Sequence, residues 1–272
     1  MPGLPRRPFN NKRPGPPQPP RDKGWDPVAA WYDKLVGEEG SDYHKHVILP
    51  ATLKLLDPQA GESVIDVCCG QGVLVRPLLE TGIASFTGVD ASPKLIASAR
   101  TRHGSNPRVN LITADACQPG KWADASHDAA TCLMAVHDVP DPVAMFTNVA
   151  KSLKPCGRAV MVFMHPCFRI PRQSHWGWDA EHKIQFRRLD RYGSTLDIPI
   201  TTHPGAQTAG ETMFHHRPLA ELLNAMGQGG LAITACEELY SHRRSQPGPR
   251  SRGEHRAAVE FPMFIALKAV RI

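Results

Sequence analysis

Three aspartates sit where this sequence would end successive strands, and their neighbours define what ligand they could meet. Asp66 opens the turn Asp66-Val67-Cys68-Cys69-Gly70-Gln71-Gly72, Asp90 follows 24 residues later, and Asp115 stands in Thr113-Ala114-Asp115-Ala116. Gly70 and Gly72 let the backbone approach a ligand closely, just before a helix begins. Asp66 would repel a pyrophosphate there but would favour a ligand carrying an ammonium group and a sulfonium. Asp90 is placed to accept both hydroxyls of a ribose, and Asp115 to meet an adenine amino group. Val75 takes the place of the third glycine of a dinucleotide fingerprint, which puts a nicotinamide cofactor second. Taken singly, each acid reads equally as a helix cap or a solvated loop residue.

Acid–base and anion-binding chemistry falls further along. His137, in Ala135-Val136-His137-Asp138, and His165, in Met164-His165-Pro166, follow the fourth and fifth strand patterns. Either could take a proton from an O–H, N–H or S–H acceptor, or serve as a hydrogen-bonding wall. From His165 to Arg217 lie six of the thirteen histidines, six arginines and two of the five tryptophans. Arg169, Arg187 and Arg191 suit a carboxylate or phosphate, and Trp176 and Trp178 suit an apolar or cationic group. Tyr192, His216 and Arg217 complete the expected substrate-side set. The alternative is that these arginines pair with Asp179, Glu181, Asp190 and Asp197 in a near-neutral structural lid.

The elements that must position these groups alternate β-type runs with helical patterns from residue 60 onward, the order of a doubly wound parallel sheet. Strands are expected at Ser63–Val67, 84–89, Val109–Thr113, 128–136 and 158–164, with helices at 73–81 and Pro93–His103. Ser92-Pro93 and Asp141-Pro142 carry N-cap signals, and Leu153-Lys154-Pro155-Cys156-Gly157 closes the helix that Asp141 opens. About fifty residues without clear periodicity come next. A helix at 217–226 and two strands at Leu231–Leu239 and 258–267, flanking a basic loop, complete a seven-stranded sheet whose last strand is antiparallel. A long aperiodic insertion containing tryptophans, emerging at the ligand end of a sheet, reads as a substrate lid over 165–214.

On these residues the chain resembles the class I S-adenosylmethionine-dependent methyltransferases, over roughly residues 25–270. Asp66 to Gly72 is similar to that family's acidic glycine-rich loop, and Gly88-Val89-Asp90-Ala91-Ser92 to its ribose-binding segment. Asp115-Ala116 matches the adenine-binding pair, and Leu153 to Gly157 the turn usually written L-k-P-G-G. Cys68 and Cys156 stand where the family usually has glycine. The resemblance implies a Rossmann-like fold and S-adenosylmethionine held by Asp66, Cys68, Gly70, Gly72, Asp90, Ala91, Asp115, Ala116 and Tyr32. The lid and the segment Val28 to Pro50 resemble an uncharacterised small-molecule subgroup. There Tyr32 would close over the methionine end within a helical cap at 25–58, ahead of a catalytic domain at 59–272. Methyl transfer from a sulfonium is an in-line displacement, so alignment supplies much of the acceleration.

Composition narrows the classes. The 272 residues carry a net charge of +6, but residues 1–24 hold six basic residues, one acid and eight prolines. That segment reads as a disordered basic tail, and the remainder is near neutral. Nucleic acid is therefore not the expected partner, and no stretch approaches the ~20 apolar residues of a membrane helix. Without an apolar export signal, a cytoplasmic protein with seven reduced cysteines is expected. No paired C-x-x-C occurs, so no metal is expected. Asp138 and Asp141 resemble metal-dependent catechol methyltransferases, but no Asp-Asn pair follows the fifth strand. Three alternatives stay open: methylation of nucleic acid or protein, with the tail and the 243–256 loop gripping the partner; a non-catalytic regulator of the same fold; and a dehydrogenase. Oligomeric state is not legible.

Overall fold

A computed structural model describes residues 24–201 and 210–272. The expected basic tail, apart from Gly24, and the His203-Pro204-Gly205 stretch of the lid lie outside the described residues.

The sheet forms because its strands carry apolar side chains on both faces, the pattern of strands covered on two sides. Strands β1 (Ser63–Val67), β2 (Ser85–Asp90), β3 (Val109–Thr113), β4 (His127–Leu133) and β5 (Leu153–Met164) run parallel. With β10 (Leu231–Leu239) and β11 (Phe264–Arg271) they form one seven-stranded sheet in the order β10-β11-β5-β4-β1-β2-β3. β11 is antiparallel to both neighbours, as expected. In β5, Val160 and Val162 enter one core while Ala159, Met161 and Phe163 enter the other. Helices α2 (Leu49–Leu56), α3 (Val75–Glu80) and α4 (Pro93–His103) cover the first face. Helices α5 (Pro142–Ser152) and α6 (Leu219–Gln228) cover the second. The two N-cap signals are realised: Ser92 Oγ accepts from Leu95 N–H at 3.2 Å and Asp141 Oδ1 from Ala144 N–H at 3.0 Å. Each such cap is worth about 1 kcal/mol.

An N-terminal layer precedes the sheet. It comprises α1 (Ala29–Val36), a π-helical segment (His44–Ile48) and α2, and α1 is tied to α4 by the Asp33–Arg102 ion pair at 2.6 Å.

Three sequence expectations are corrected. The region after β5 is not aperiodic: it contains the hairpin β6 (Ser174–Asp179) with β7 (Ile184–Leu189) and the pair β8 (Leu196–Thr201) with β9 (Glu211–His216). β8 and β9 build a small core from Ile170, Ile198 and Phe214. The β6–β7 hairpin leaves Trp176, Ile184, Phe186 and Leu189 exposed, so no buried face imprints a period on its sequence. The second correction is at 258–267, where residues up to Glu260 finish helix α7 (Ser251–Glu260) and β11 starts only at Phe264. Gly253 and Ala257 lie four apart on the buried face of α7, a helical spacing, while Val259 is exposed. The fourth strand also stops earlier than expected, because Met134 adopts φ 57° and residues 136–138 form a 3-10 turn.

Candidate functional site

The chain turns sharply at the carboxyl ends of β1, β2 and β4, and a cavity of about 390 Å³ opens there, within the usual range for ligand pockets. Its wall includes Tyr32, Cys68, Gly70, Asp90, Ala91, Asp115 and Ala116, seven of the residues the sequence singled out. Asp66 and Gly72 are not part of that wall. Asp66 is 2% exposed beneath the loop and accepts from Thr131 Oγ1 at 2.7 Å. Gly72, at φ 86°, turns its Cα toward Val75 and His103.

Asp90 organises the loop. Its Oδ2 accepts from Gly70 N–H at 2.9 Å and its Oδ1 from Ser92 N–H at 2.8 Å, joining the turns after β1 and β2. Each oxygen keeps further lone pairs for a ligand hydroxyl. Asp115 is exposed and holds its own loop by accepting from Cys117 N–H at 2.9 Å. The same loop is pinned from below by buried Asn148 of α5, whose Nδ2 donates to Ala116 O at 2.9 Å and Gln118 O at 3.1 Å.

The electrostatics are those of a site short of a cation. Burial raises the Asp66 carboxyl to about 7, against the opposing Thr131 bond, and nearby Asp90 adds to the rise. Burial likewise raises Asp90, and it raises Asp138 well above the carboxylate range, with Asp90 contributing. Tyr32 is raised by burial and then by Asp138, Asp90 and Asp66 in turn. Asp90, Asp138 and Tyr32 in the wall and Asp66 beneath it thus lie in poorly solvated space, where a bound cation would favour the ionised carboxyls.

Cys68 is the loop's least ordinary residue. It takes φ 62°, the left-handed conformation that its glycine-like position demands, and Cys156 does the same in the later turn at φ 61°. Such a conformation costs a non-glycine residue roughly 1–2 kcal/mol. Met134 joins Cys68 in the cavity wall with the same handedness, so two adjacent parallel strands both end in strained residues at the site. The Cys68 thiol is raised by its hydrogen bond with Cys132 and by burial, which keeps it protonated.

The two histidines stand outside the cavity wall. His137 has a ring 12% exposed, packed 4.8 Å from Phe214, with Nδ1 buried without a partner and Nε2 4.0 Å from Asp138 Oδ1. Burial lowers it to about 4, so it is neutral. His165 has both nitrogens engaged: Nδ1 accepts from Cys167 N–H at 3.2 Å, so Nε2 carries the proton and donates to Glu238 Oε1 at 3.0 Å. It braces the start of the lid against β10.

Several lid residues expected on the substrate are instead satisfied by the protein. His216 Nε2 donates to Tyr192 O at 2.8 Å, and Tyr192 Oη accepts from Leu219 N–H at 3.1 Å, which fixes the start of α6. Arg217 donates to the carbonyls of Val139 and Pro140 and pairs with Glu221 at 3.5 Å, bracing the segment after β4. Trp178 packs against Gly253 of α7 beneath Arg250, and exposed Trp176 lies under Arg187 and beside Phe261. Arg191 is exposed, whereas Arg169 is half-buried.

Sequence reasoning missed Trp25, Asp26, Leu95, Met134 and Asp138, all in the cavity wall. Asp26 accepts from Ser92 Oγ at 2.7 Å and Lys94 N–H at 3.0 Å, and Trp25 packs edge-on to Tyr32 at 4.8 Å. Only Asp138 carried a signal, as an acid just past a strand end. Trp25 and Asp26 come to the site through the N-terminal layer and carry no spacing relative to the loop, while Leu95 in α4 and Met134 just after β4 are apolar residues of no distinctive type.

Among the described residues one group could hold a metal ion, exposed Asp42, His46 and His242. Asp42 is already bonded to Arg243 at 2.7 Å. No described helix is long and apolar enough to cross a membrane.

Residues 64–157 match a family model described as a methyltransferase domain. The ubiquinone biosynthesis O-methyltransferase of Neisseria meningitidis serogroup A is 31% identical over 223 residues, 79% of this chain and 82% of that protein. A demethylmenaquinone methyltransferase of Tropheryma whipplei is 35% identical over 117 residues, 43% of this chain and 48% of that protein. Among solved structures, an S-adenosylmethionine-dependent methyltransferase from Mesorhizobium loti superposes with a TM-score of 0.64 at 29% identity, covering 82% of this chain and 96% of that one.

Proposed function

The chain belongs to the S-adenosylmethionine-dependent methyltransferases, and we propose that it methylates a small molecule held between the cavity, the N-terminal layer at 25–58 and the described part of the lid at 165–201. The observation that carries this reading is the cation-deficient cavity at the strand ends, with Asp90 and Asp138 in its wall and Asp66 beneath. The donor set fits the cofactor: carboxyls for its cationic end, a free pair of lone pairs on Asp90 for its ribose, and apolar Leu95 and Leu133 alongside.

When bound, S-adenosylmethionine supplies an electrophilic methyl carbon on a sulfonium. Asp90 orients the ribose while keeping Gly70 and Ser92 in place. Asp115, Ala116, Leu95 and Cys117 border the adenine end. Asp66, Asp138 and Tyr32 would hold the cofactor's positive end. Alignment then brings an acceptor atom against the strand-end segment of Met134 and Ala135. Asp138, whose carboxyl lies in the cavity wall, would take the acceptor's proton once ionised, its own proton having passed to water as the cationic cofactor binds. Neutral His137 beside it excludes water from that side. The earlier candidates His137 and His165 are thereby assigned to positioning rather than to proton transfer.

The relatives' names make small acceptors of quinone biosynthesis the first class to test, with oxygen as the attacking atom. The assay is transfer of labelled methyl to a panel of such compounds, with and without residues 1–23. Incorporation into a small molecule, independent of the tail, is expected. At saturating S-adenosylmethionine, Asp138→Asn should lower turnover by about tenfold or more, the scale of a lost general base. Incorporation only into RNA or protein, dependent on the tail, would overturn the small-molecule reading.

A further inference from the structure

Three of the lid's acids, and Glu221 of α6 beside it, already have partners. Asp190 binds Arg188 at 2.5 Å, Asp179 binds His182 at 2.8 Å, Asp197 binds His215 at 2.7 Å, and Glu221 is shared between Arg217 and Thr195. Arg187, in contrast, meets no carboxylate among the described residues. Its Nε donates to Phe168 O at 2.8 Å, one terminal nitrogen donates to Ser174 Oγ at 2.6 Å, and its carbon lies 4.9 Å over Trp176. Arg169 has no hydrogen-bonding or ion-pair partner for its guanidinium among the described residues.

The Arg187 side chain reaches the backbone beside Arg169, since its Nε donates to the carbonyl of Phe168, the preceding residue. Burial lowers both, and the charge of Arg169 lowers Arg187 further. Two guanidiniums sharing poorly solvated space without a counter-ion is an unfavourable arrangement, since half-buried charges are ordinarily paired. Its location is specific. Arg169 lies four residues beyond the His165 brace at the end of β5, close to Tyr43 of the N-terminal layer, and Arg187 faces it from β7. The pair therefore stands at the ligand end of the sheet, between the N-terminal layer and the lid hairpin. The expected structural pairing of these arginines with lid acids does not hold for Arg169 or Arg187.

We propose that Arg169 and Arg187 form an anion subsite that receives a carboxylate or phosphate group of the methyl acceptor. This rests on the small-molecule reading above. Arg187 is held in place by its neutral acceptors and Trp176, so it presents its remaining N–H groups in a fixed direction. Arg169 supplies the unpaired charge. The acceptor class is thus an anionic small molecule, and its neutral amide or ester should be excluded.

The test uses the full chain saturated with S-adenosylhomocysteine, titrated calorimetrically with 4-hydroxybenzoate, phenyl phosphate and their neutral counterparts, 4-hydroxybenzamide and phenol. At least one anion should bind about tenfold or more tightly than its neutral counterpart, the discrimination expected of a charged, hydrogen-bonding site. The carboxylate and phosphate arms say which oxygen group is preferred. Arg169→Gln should erase the preference, leave S-adenosylhomocysteine affinity unchanged and raise or preserve Tm, because it removes a repelled charge. Arg169→Lys should retain part of the preference, and it decides the matter if the glutamine variant fails to fold. No binding of either anion, equal binding of the neutral compounds, or full selectivity in a folded Arg169 variant would overturn the subsite. Failure of S-adenosylhomocysteine to bind would instead overturn the reading on which it rests.

Discussion

Two cysteines in the left-handed region test how backbone strain is distributed. Cys68 and Cys156 share φ near 60°, but Cys68 is packed at the cavity with its free thiol beside that of Cys132, whereas Cys156 is exposed. Glycine removes the roughly 1–2 kcal/mol of left-handed strain and adds about 0.5–1 kcal/mol of unfolded-state entropy. Cys156→Gly is therefore expected to stabilise the chain by about 0.5–1 kcal/mol, read as a higher denaturation midpoint. Cys68→Gly should be close to neutral, because it also removes a buried thiol. Destabilisation by Cys156→Gly would show that the strain account is wrong. At the same scale, Asp66 predicts a pH dependence. Its carboxyl is raised from 3.8 to about 7, so its neutral form is favoured in the folded, ligand-free chain. That contribution to stability is present at low pH and is lost as pH rises from about 4 to about 7. Binding a cationic ligand requires the ionised form, so S-adenosylmethionine should bind more tightly as pH rises from about 5.5 toward 7, releasing a proton. Calorimetry in buffers of different ionisation enthalpy reads that proton, and Asp66→Asn should reduce the release to the part that comes from Asp138. A pH-independent affinity in the native chain would contradict the role given to Asp66.

Among elements, the segment after β4 matters most to the cavity, since Ala135, Asp138, Val139 and Pro140 all form its wall. Arg217 holds that segment from the start of α6 by capping two of its carbonyls. Arg217→Ala should destabilise the chain by about 1.5–3 kcal/mol, the range for hydrogen bonds to a charged group. It should also weaken cofactor binding, and unchanged thermal midpoint and affinity together would rule out the brace. Reading Arg217 as a substrate residue from sequence was natural, because a cationic side chain in a lid looks the same whether it meets a ligand or a backbone carbonyl. The parallel strands were legible for the opposite reason: burial on both faces writes continuous apolar runs between turn residues such as Ser92-Pro93 and Asp141-Pro142. β6 and β7 were not legible, because a hairpin with both faces largely wet carries no such run. The turn of α7 into β11 was misplaced by the apolar Ala257-Ala258-Val259, which sits at the end of a helix.

For the whole molecule, the sheet order brings the ends of β1, β2 and β4 together, and this is where the sequence reading of Cys68, Gly70, Asp90 and Asp115 converges in space. The cofactor half of the site was readable because each residue sits at a fixed offset from a strand end. The proposed acceptor half was legible in residue type for Tyr32, Arg169 and Arg187 but not in placement, because these and Trp25 and Tyr43 come from separate layers whose packing no local spacing encodes. The central claim is that this one cavity holds S-adenosylmethionine, with Asp90 as its anchor. Calorimetric titration of the native chain and of Asp90→Ala with S-adenosylmethionine tests it most directly. The account predicts one site per chain, weakened by about 10- to 100-fold in the variant, as loss of a charged hydrogen-bond acceptor requires. No binding at millimolar cofactor, or equal affinity in the two proteins, would contradict it.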